Sequence, residues 1–502
     1  VPNLLTYTVT AGAQAMQVAA RGTAIQNPGF NVSESPVGIY VDDVYFGRLA
    51  SSNLDLTDVE RVEVLRGPQA TLYGRNTIAG AIKIVTRQPG DEAWANGSIG
   101  YGNFDTAKIS ASAGGPIEEG ALAGSIAGSW HQRNEGWQPN PTTGRAAGEF
   151  DNQAVRLKLR WYGGDTIDAT LSAWGVKQEN DGYNGVPYTP FSAAFAAANP
   201  GSGSPVPGRP IDGFYSTLSP EGANSGDTTQ SGATLDFSIN LGADLEFRSI
   251  TGFTDVEDGF AFDLAGGGNF VDIGGGTFIG PTSGLLINSE SEMTQISQEL
   301  HLLGQSFDER LDWILGVFYL NEDGSQDYSG SIPGIFGFNE LSNSETDSVA
   351  VFAEATFNFT DRLSATLGGR WTEDDKNYQI SCSGVCTPNP DTGLTVDLDA
   401  KFDEFTPKFS IQYSIGEDWL TFGSISRGFQ AGGFQTLCFG NLDCAANIYD
   451  PQTVWNYEIG FKGDMLNNTL RLNGAVFYAQ YEDLQQTRGE FGDFGVFFVQ
   501  DN

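Results

Sequence analysis

VRLKLRWYGGDTIDATLSAWGV, residues 155–176, is the stretch whose reading decides the fold. Val155, Leu157, Leu159 and Trp161 fall on one face of an extended chain, and Arg156, Lys158, Arg160 and Tyr162 fall on the other. A period of two over this length is the mark of a strand. Gly163, Gly164 and Asp165 then turn the chain, and a second strand is expected to run back over 166–177. The alternation returns at Leu363, Ala365, Leu367, Gly369 and Trp371 against Arg362, Ser364, Thr366 and Arg370. It returns again at Leu470, Leu472, Val476 and Tyr478 against Arg471 and Asn473. Apolar on one face and polar on the other also suits a strand between lipid and a wet lumen. Trp130, Trp161, Trp313, Tyr319, Trp371, Trp419 and Tyr478 lie near strand ends, where an interfacial girdle would place them. A soluble sandwich or propeller alternates too, but no repeat of blade length is present.

Connection lengths separate these alternatives. The pattern implies about sixteen strands beyond residue 90. Among them are 244–255, 292–303, 309–320, 347–359, 362–374, 403–415 and 494–502. After the first hairpin, short turns alternate with long connections. The short ones are 115–120, 163–165, 241–243, 304–308, 360–361, 416–417 and 464–467. The long ones are 132–151, 178–229, 256–291, 321–346, 375–402 and 428–452. Short turns at one end and long loops at the other are the habit of an outer-membrane barrel. A sandwich has no reason to keep that asymmetry.

Composition agrees. The chain has 502 residues, 65 of them Gly and 34 Phe, and Lys plus Arg is 26 against 63 for Asp plus Glu, a net charge of −37. That acidity excludes a phosphate-neutralising surface, so no nucleic-acid partner is expected. No apolar run is long enough for a spanning helix. With 39% hydrophobic residues a packed core is within reach, which argues against disorder. The acidity fits an acidic vestibule that favours cationic or metal-bridged ligands, or a solvated exterior adapted to saline water, or Ca²⁺/Mg²⁺ bridging to surface lipid. The charge is expected on loop and lumen surfaces and not on the lipid-facing band.

The four cysteines form two close pairs, Cys382 with Cys386 and Cys438 with Cys444, in Gly/Asn/Pro-rich segments. Two local disulfides in an oxidising compartment are the favoured reading. A thiolate metal site is the weaker one, because no His lies near either pair. No metal, cofactor or catalytic residue is assigned. His131 and His301 are far apart in sequence, no nucleophile elbow is present, and few His are available as haem ligands. The run AGGGNFVDIGGG, residues 265–276, lacks the Lys-Ser/Thr of a phosphate loop.

Residues 1–90 do not follow the barrel rhythm. They read as a compact α+β or β domain, and 91–502 as the barrel domain. Within the first domain, VGIYVDDVYFGR (residues 37–48) and VERVEVLRGPQATLYGRNTIAGAIKIVTRQP (residues 59–89) resemble the plug of TonB-dependent outer-membrane receptors. SQELHL (297–302), LGGRWTEDDK (367–376), SRGFQAGGF (426–434) and YDPQTVWNYEIGFK (449–462) resemble barrel stretches of the same family, in the expected order.

The resemblance implies an all-β membrane protein: an antiparallel transmembrane β-barrel of about 22 strands, closed by an N-terminal α+β plug inside the lumen. Against that pattern both ends are expected to be truncated, with the TonB box and signal peptide before residue 1 and about six strands after residue 502. The implied function is active uptake of a scarce nutrient across the outer membrane of a Gram-negative bacterium. The implied partners are TonB with ExbB and ExbD, outer-membrane lipid and lipopolysaccharide, and an external small molecule, by default a ferric siderophore or similar iron chelate. An oligosaccharide, a cobalamin or an aromatic compound is the alternative cargo, and a passive porin or adhesin the alternative class.

A plug that must be removable predicts polar, wet contacts with the barrel. On the plug, the motif Arg66, Gly67, Pro68, Tyr73, Gly74 and Arg75 supplies the candidates, with Arg66 and Arg75 as cations. On the barrel, Glu299, Glu354 and Glu458 fall on polar strand faces. Gly67, Gly74 and Gly80 read as backbone requirements of turns. Phe214, Tyr215, Phe260, Phe262 and Phe270, in long loops, are candidates for stacking on a ligand.

Overall fold

The structure is a computed structural model. It describes residues 4–8, 16–23, 32–48, 57–140, 144–164, 166–181, 224–242, 244–263, 286–332, 336–436, 438–466, 469–492 and 495–501.

The N-terminal domain begins with a hairpin of β1 (Leu4–Thr8) and β2 (Met16–Ala20). Its body is a four-stranded mixed sheet of β3 (Val37–Val41), β4 (Val44–Phe46), β5 (Val59–Arg66) and β6 (Gly80–Thr86), in the order β4-β3-β6-β5. Strands β3 and β6 run parallel and the other pairs antiparallel. The β3–β4 turn is two residues, Asp42 and Asp43, both at positive φ, a conformation that Asp tolerates and a tight hairpin needs. Gly80, at φ +150°, lies against the Leu65 carbonyl, where a Cβ would clash. Among the described residues of this domain there are strands and turns only.

The remaining chain builds a 15-stranded antiparallel sheet with β7 and β25 at its ends. It opens with β7 (Trp94–Gly102), β8 (Thr106–Glu118) and β9 (Leu122–Arg133), followed by a short hairpin, β10 (Gln138–Asn140) and β11 (Arg145–Ala147), in the first long connection. It continues with β12 (Phe150–Trp161), β13 (Ile167–Asn180), β14 (Ser225–Gly242), β15 (Leu245–Asp263), β16 (Leu286–Ser306) and β17 (Leu311–Ile332). Then come β18 (Phe336–Thr360), β19 (Leu363–Gly384), β20 (Thr395–Ile415) and β21 (Trp419–Gln430). A long connection carries β22 (Gly433–Phe434), α1 (Leu442–Ala445) and β23 (Ile448–Tyr449) before β24 (Gln452–Met465) and β25 (Leu470–Glu482). The expected last strand is β27 (Gly495–Asp501), but it pairs with β26 (Gln486–Gly492) as a separate hairpin.

Side-chain height along the wall locates the lipid. Leu300, Val317, Val351, Trp371 and Phe405 are register partners in sequence across β16 to β20, and form one apolar outward row. Six residues further along the strands, the same face carries Thr294, Asp323, Glu345, Asn377 and Asp399, again in register. The apolar row suits lipid and the acidic row does not. The negative charge therefore occupies a third place besides loops and lumen: the outward wall above the lipid band.

That wall explains why the strands run on beyond their alternating segments. Strands β15 to β20 reach well past the expected 255, 292, 320, 347, 374 and 403. Above the lipid both faces become polar, so the alternation fades while the hydrogen-bonded ladder continues. Cys382, Phe260 and Phe262 consequently sit on strands and not in loops.

We expect Val351→Arg, in the apolar row, to destabilise the folded barrel by about 2–4 kcal/mol. Asn343→Arg, on the same face of β18 but above the band, should change it by less than about 0.5 kcal/mol. Urea titration of both variants in lipid vesicles measures the difference.

Candidate functional site

The two domains meet along a seam inside the sheet, and its outermost row centres on one carboxylate. Glu34, just before β3, is buried. It accepts from Arg75 Nη2 at 2.6 Å and from Lys376 Nζ of β19 at 2.6 Å, and from the Asn76 amide. Arg48 Nη1 stands 3.6 Å away, while its Nη2 donates to Glu322 of β17 at 2.9 Å. Arg75 Nη1 lies 3.6 Å from Asp374 of β19. Lys376 also donates to the Gly432 carbonyl, and Gln430 to the Glu34 carbonyl. Burial alone would raise the Glu34 pKa, but Arg75, Lys376 and Arg48 outweigh it and hold the carboxyl well below the usual carboxylate range.

A second row holds the β3–β4 turn. Asp42 accepts from the Thr86 amide at 2.8 Å and faces Lys158 Nζ of β12 at 3.1 Å. Asp43 pairs with Lys83 of the plug and with Arg248 Nη2 of β15 at 2.9 Å. Burial opposes ionisation of Asp43, yet these two cations lower its pKa. Asp58 faces Arg156 of β12 at 3.7 Å. A third contact joins Arg21 to Glu458 and Asn456 of β24, at 2.7 and 2.9 Å, with the guanidinium over the Phe477 ring.

The seam is not wholly polar, contrary to expectation. Val41, Val44 and Phe46 pack with Trp174, Val176 and Ile250 of the barrel, and Tyr40, Tyr45 and Ala81 with Leu320. A hairpin tip pushed between strands buries its apolar flanks together with its charged turn. These are small separate patches and not one shared core.

The expected cations and carboxylates are present but paired differently. Arg66 is exposed and forms no ion pair among the described residues; it lines a cavity shared with Glu458, Asn473 and Phe477 of the barrel, but Arg21 takes the Glu458 carboxylate. Arg75 is buried, with Glu34 and Asp374 as partners in place of the three named glutamates. Glu299 contacts His301 on its own strand, Glu354 pairs with Lys408 of β20, and Glu458 takes Arg21. Gly67, Gly74 and Gly80 all have positive φ. Pro68 lies against Gly428 of β21, and the Tyr73 carbonyl accepts from the Tyr40 hydroxyl. Glu34, Arg48, Asp42, Asp43, Asp58 and Arg21 escaped sequence reasoning. The Asp42-Asp43 turn carried a usable signal, because two carboxylates at a hairpin tip project into whatever faces it.

Phe260 and Phe262 are buried in one cluster with Val32, Ile287 and Tyr328, so they serve packing at the outer end of the wall. Phe214, Tyr215 and Phe270 lie outside the described residues. Both disulfides form as expected, Cys382–Cys386 and Cys438–Cys444. They brace two connections that also share backbone hydrogen bonds, Thr387 to Gly440 and Leu442 to Thr387.

A barrel-type sheet wrapped round a small mixed domain, joined to it by buried ion pairs, defines a plugged outer-membrane barrel. Residues 1–81 match the TonB-dependent Receptor Plug Domain, and residues 161–502 match the TonB dependent receptor-like, beta-barrel family. The chain belongs to the TonB-dependent receptors, whose barrels lie in the outer membrane of Gram-negative bacteria. It is 25% identical over 480 residues to the pesticin receptor of Yersinia enterocolitica, covering 95% of this chain and 63% of that protein. It is 22% identical over 510 residues to the ferric-pyoverdine 358 receptor of Pseudomonas putida, covering 95% and 56%. The crystal structure of the ferric yersiniabactin uptake receptor from Yersinia pestis superposes with a TM-score of 0.77 at 20% identity, covering 97% of this chain and 69% of that one. The chain thus spans less than two thirds of the length of these curated relatives.

Replacing Glu34 with Ala leaves buried Lys376 with no carboxylate in contact and Arg75 and Arg48 with one each, a class of change that costs about 3–5 kcal/mol. We expect faster hydrogen exchange in β3 and β6 of that variant. Because the Glu34 pKa is lowered in the folded state, its contribution is complete above about pH 4.5, its ordinary value, and is lost as pH falls toward the lower folded one. The exchange difference between wild type and Glu34→Gln should therefore be full at pH 6 and shrink steadily below pH 4.5.

Proposed function

We propose that this chain serves energised uptake of a ferric siderophore or similar iron chelate. The observation that carries this reading is the seam itself. A passive pore has no use for a domain that fills its lumen. A permanent seal has no use for ion pairs that water and a moving partner can replace. Buried pairs such as Arg48–Glu322 and Lys376–Glu34 hold the plug in register, yet each partner regains hydration when the plug moves. The source of force is the TonB complex with ExbB and ExbD, acting from the periplasm. The names of the matched relatives, receptors for pyoverdine and yersiniabactin, support an iron chelate as cargo over an oligosaccharide or a cobalamin.

Uptake of radiolabelled ferric chelates by cells with and without the gene, each with and without TonB, tests the proposal. We expect accumulation only when both are present. Accumulation of labelled cobalamin or oligosaccharide instead would redirect the cargo, and accumulation without TonB would overturn energised transport.

A further inference from the structure

The luminal faces of β16 to β19 differ from the rest of the seam. Register stacks them in rows. The outer row, Gln295, Glu322, Thr346 and Lys376, meets the Glu34 cluster. Further in lies Glu299, Phe318, Ala350 and Thr372, and below that His301, Gly316, Phe352 and Arg370. Deeper still, Leu303, Ile314 and Glu354 line a cavity of about 620 Å³ that reaches the short turns.

At the Arg370 level no ion pair crosses to the plug among the described residues. Glu299 is engaged by His301 and Glu354 by Lys408, both within the barrel. Arg370 is 2% exposed. Its guanidinium lies 5.2 Å from the Phe318 ring centroid and 5.0 Å from that of Phe352. Its Nε donates to Thr372, and its Nη1 has no hydrogen-bond partner. The plug covers it with Gly74, at φ +86°, whose Cβ would stand 2.7 Å from Nη2. On the adjoining wall β12 and β15 grip the plug through Lys158, Arg156 and Arg248, whereas the pairs that β17 and β19 make, through Glu322, Asp374 and Lys376, all lie above the Arg370 level.

A buried guanidinium with no carboxylate in contact is costly; Glu299 and Asp374 act on Arg370 only from beyond ion-pair distance, and aromatic faces compensate only part of the cost. An anion that reached this place would complete its coordination. Withdrawal of the plug turn here breaks one ion pair with the wall, Arg75 with Asp374 at its upper edge, and leaves Glu299 and Glu354 with partners of the barrel's own. We infer that this part of the β16–β19 wall is a transit site, in which Arg370 receives an anionic group of the ligand once the plug turn at residues 71–75 withdraws. The inference rests on the uptake reading above, and places the passage on this wall and not along β12–β15.

Cysteine accessibility in the full-length receptor in living cells tests it. Ala350→Cys reports the proposed wall, and Ser172→Cys, luminal on β13 and equally buried, reports the other. The probes are two reagents of one chemistry, sulfonatoethyl methanethiosulfonate (anionic) and trimethylammonioethyl methanethiosulfonate (cationic). With TonB energised, Ala350→Cys should react and Ser172→Cys should stay protected. Adding Arg370→Gln should lower the anionic-to-cationic rate ratio at Ala350→Cys roughly tenfold, and Arg370→Lys should restore it. Reaction at Ser172→Cys with Ala350→Cys protected would overturn the inference and leave energised uptake standing. An unchanged ratio in Arg370→Gln would overturn the anion site. No TonB-dependent reaction at either position would overturn the uptake reading together with this one.

Discussion

One carboxylate ties the outer end of this structure together. Glu34 gathers Arg75 and Asn76 from one plug segment, Arg48 from another and Lys376 from the barrel. Arg48 and Arg75 each keep one other carboxylate of the wall, Glu322 and Asp374, but Glu34 is the carboxylate that Lys376 contacts, and a lone charge is costly at this depth. The plug segments therefore take their places only when the barrel wall supplies its lysine and its acids. The domain is folded against the wall as much as by its own small sheet.

Much of this was legible from the chain. Alternation at Val155–Trp161 and at Leu363–Trp371 located strands, and the asymmetry of turn and loop lengths made them a barrel. Fifteen of the sixteen expected strands lie in one sheet. Their outer ends were not legible, because period-two alternation needs one apolar face, and above the lipid band Asp323, Glu345 and Asp399 replace it. Ion-pair partners were less legible still. A polar strand face says that Glu299, Glu354 and Glu458 point inward, but not which cation lies opposite. Glu299 and Glu354 take partners on the barrel itself, and only the partner of Glu458, Arg21, depends on how the plug sits in the lumen. Arg66 and Arg75 are alike in sequence, and one is exposed while the other is buried.

The two kinds of seam contact divide the work of holding and releasing. Apolar patches such as Val41, Val44 and Phe46 against Trp174 contribute attraction without direction. Ion pairs contribute register, because each is favourable only in one geometry. Keeping the patches small and separated by charges lets the domain remain a distinct body. The outward acidic row has a parallel effect on the other face of the wall: it ends the lipid-facing surface abruptly and sets the depth of the barrel.

The plug is a separable body latched by buried charge. Single-molecule pulling from the N-terminal end of the membrane-embedded receptor tests that claim most directly. The expected record has a first event that releases the plug while the barrel stays folded, at a force that drops when Glu34 becomes Gln. Plug and barrel unravelling in one event, at a force indifferent to Glu34, would contradict it.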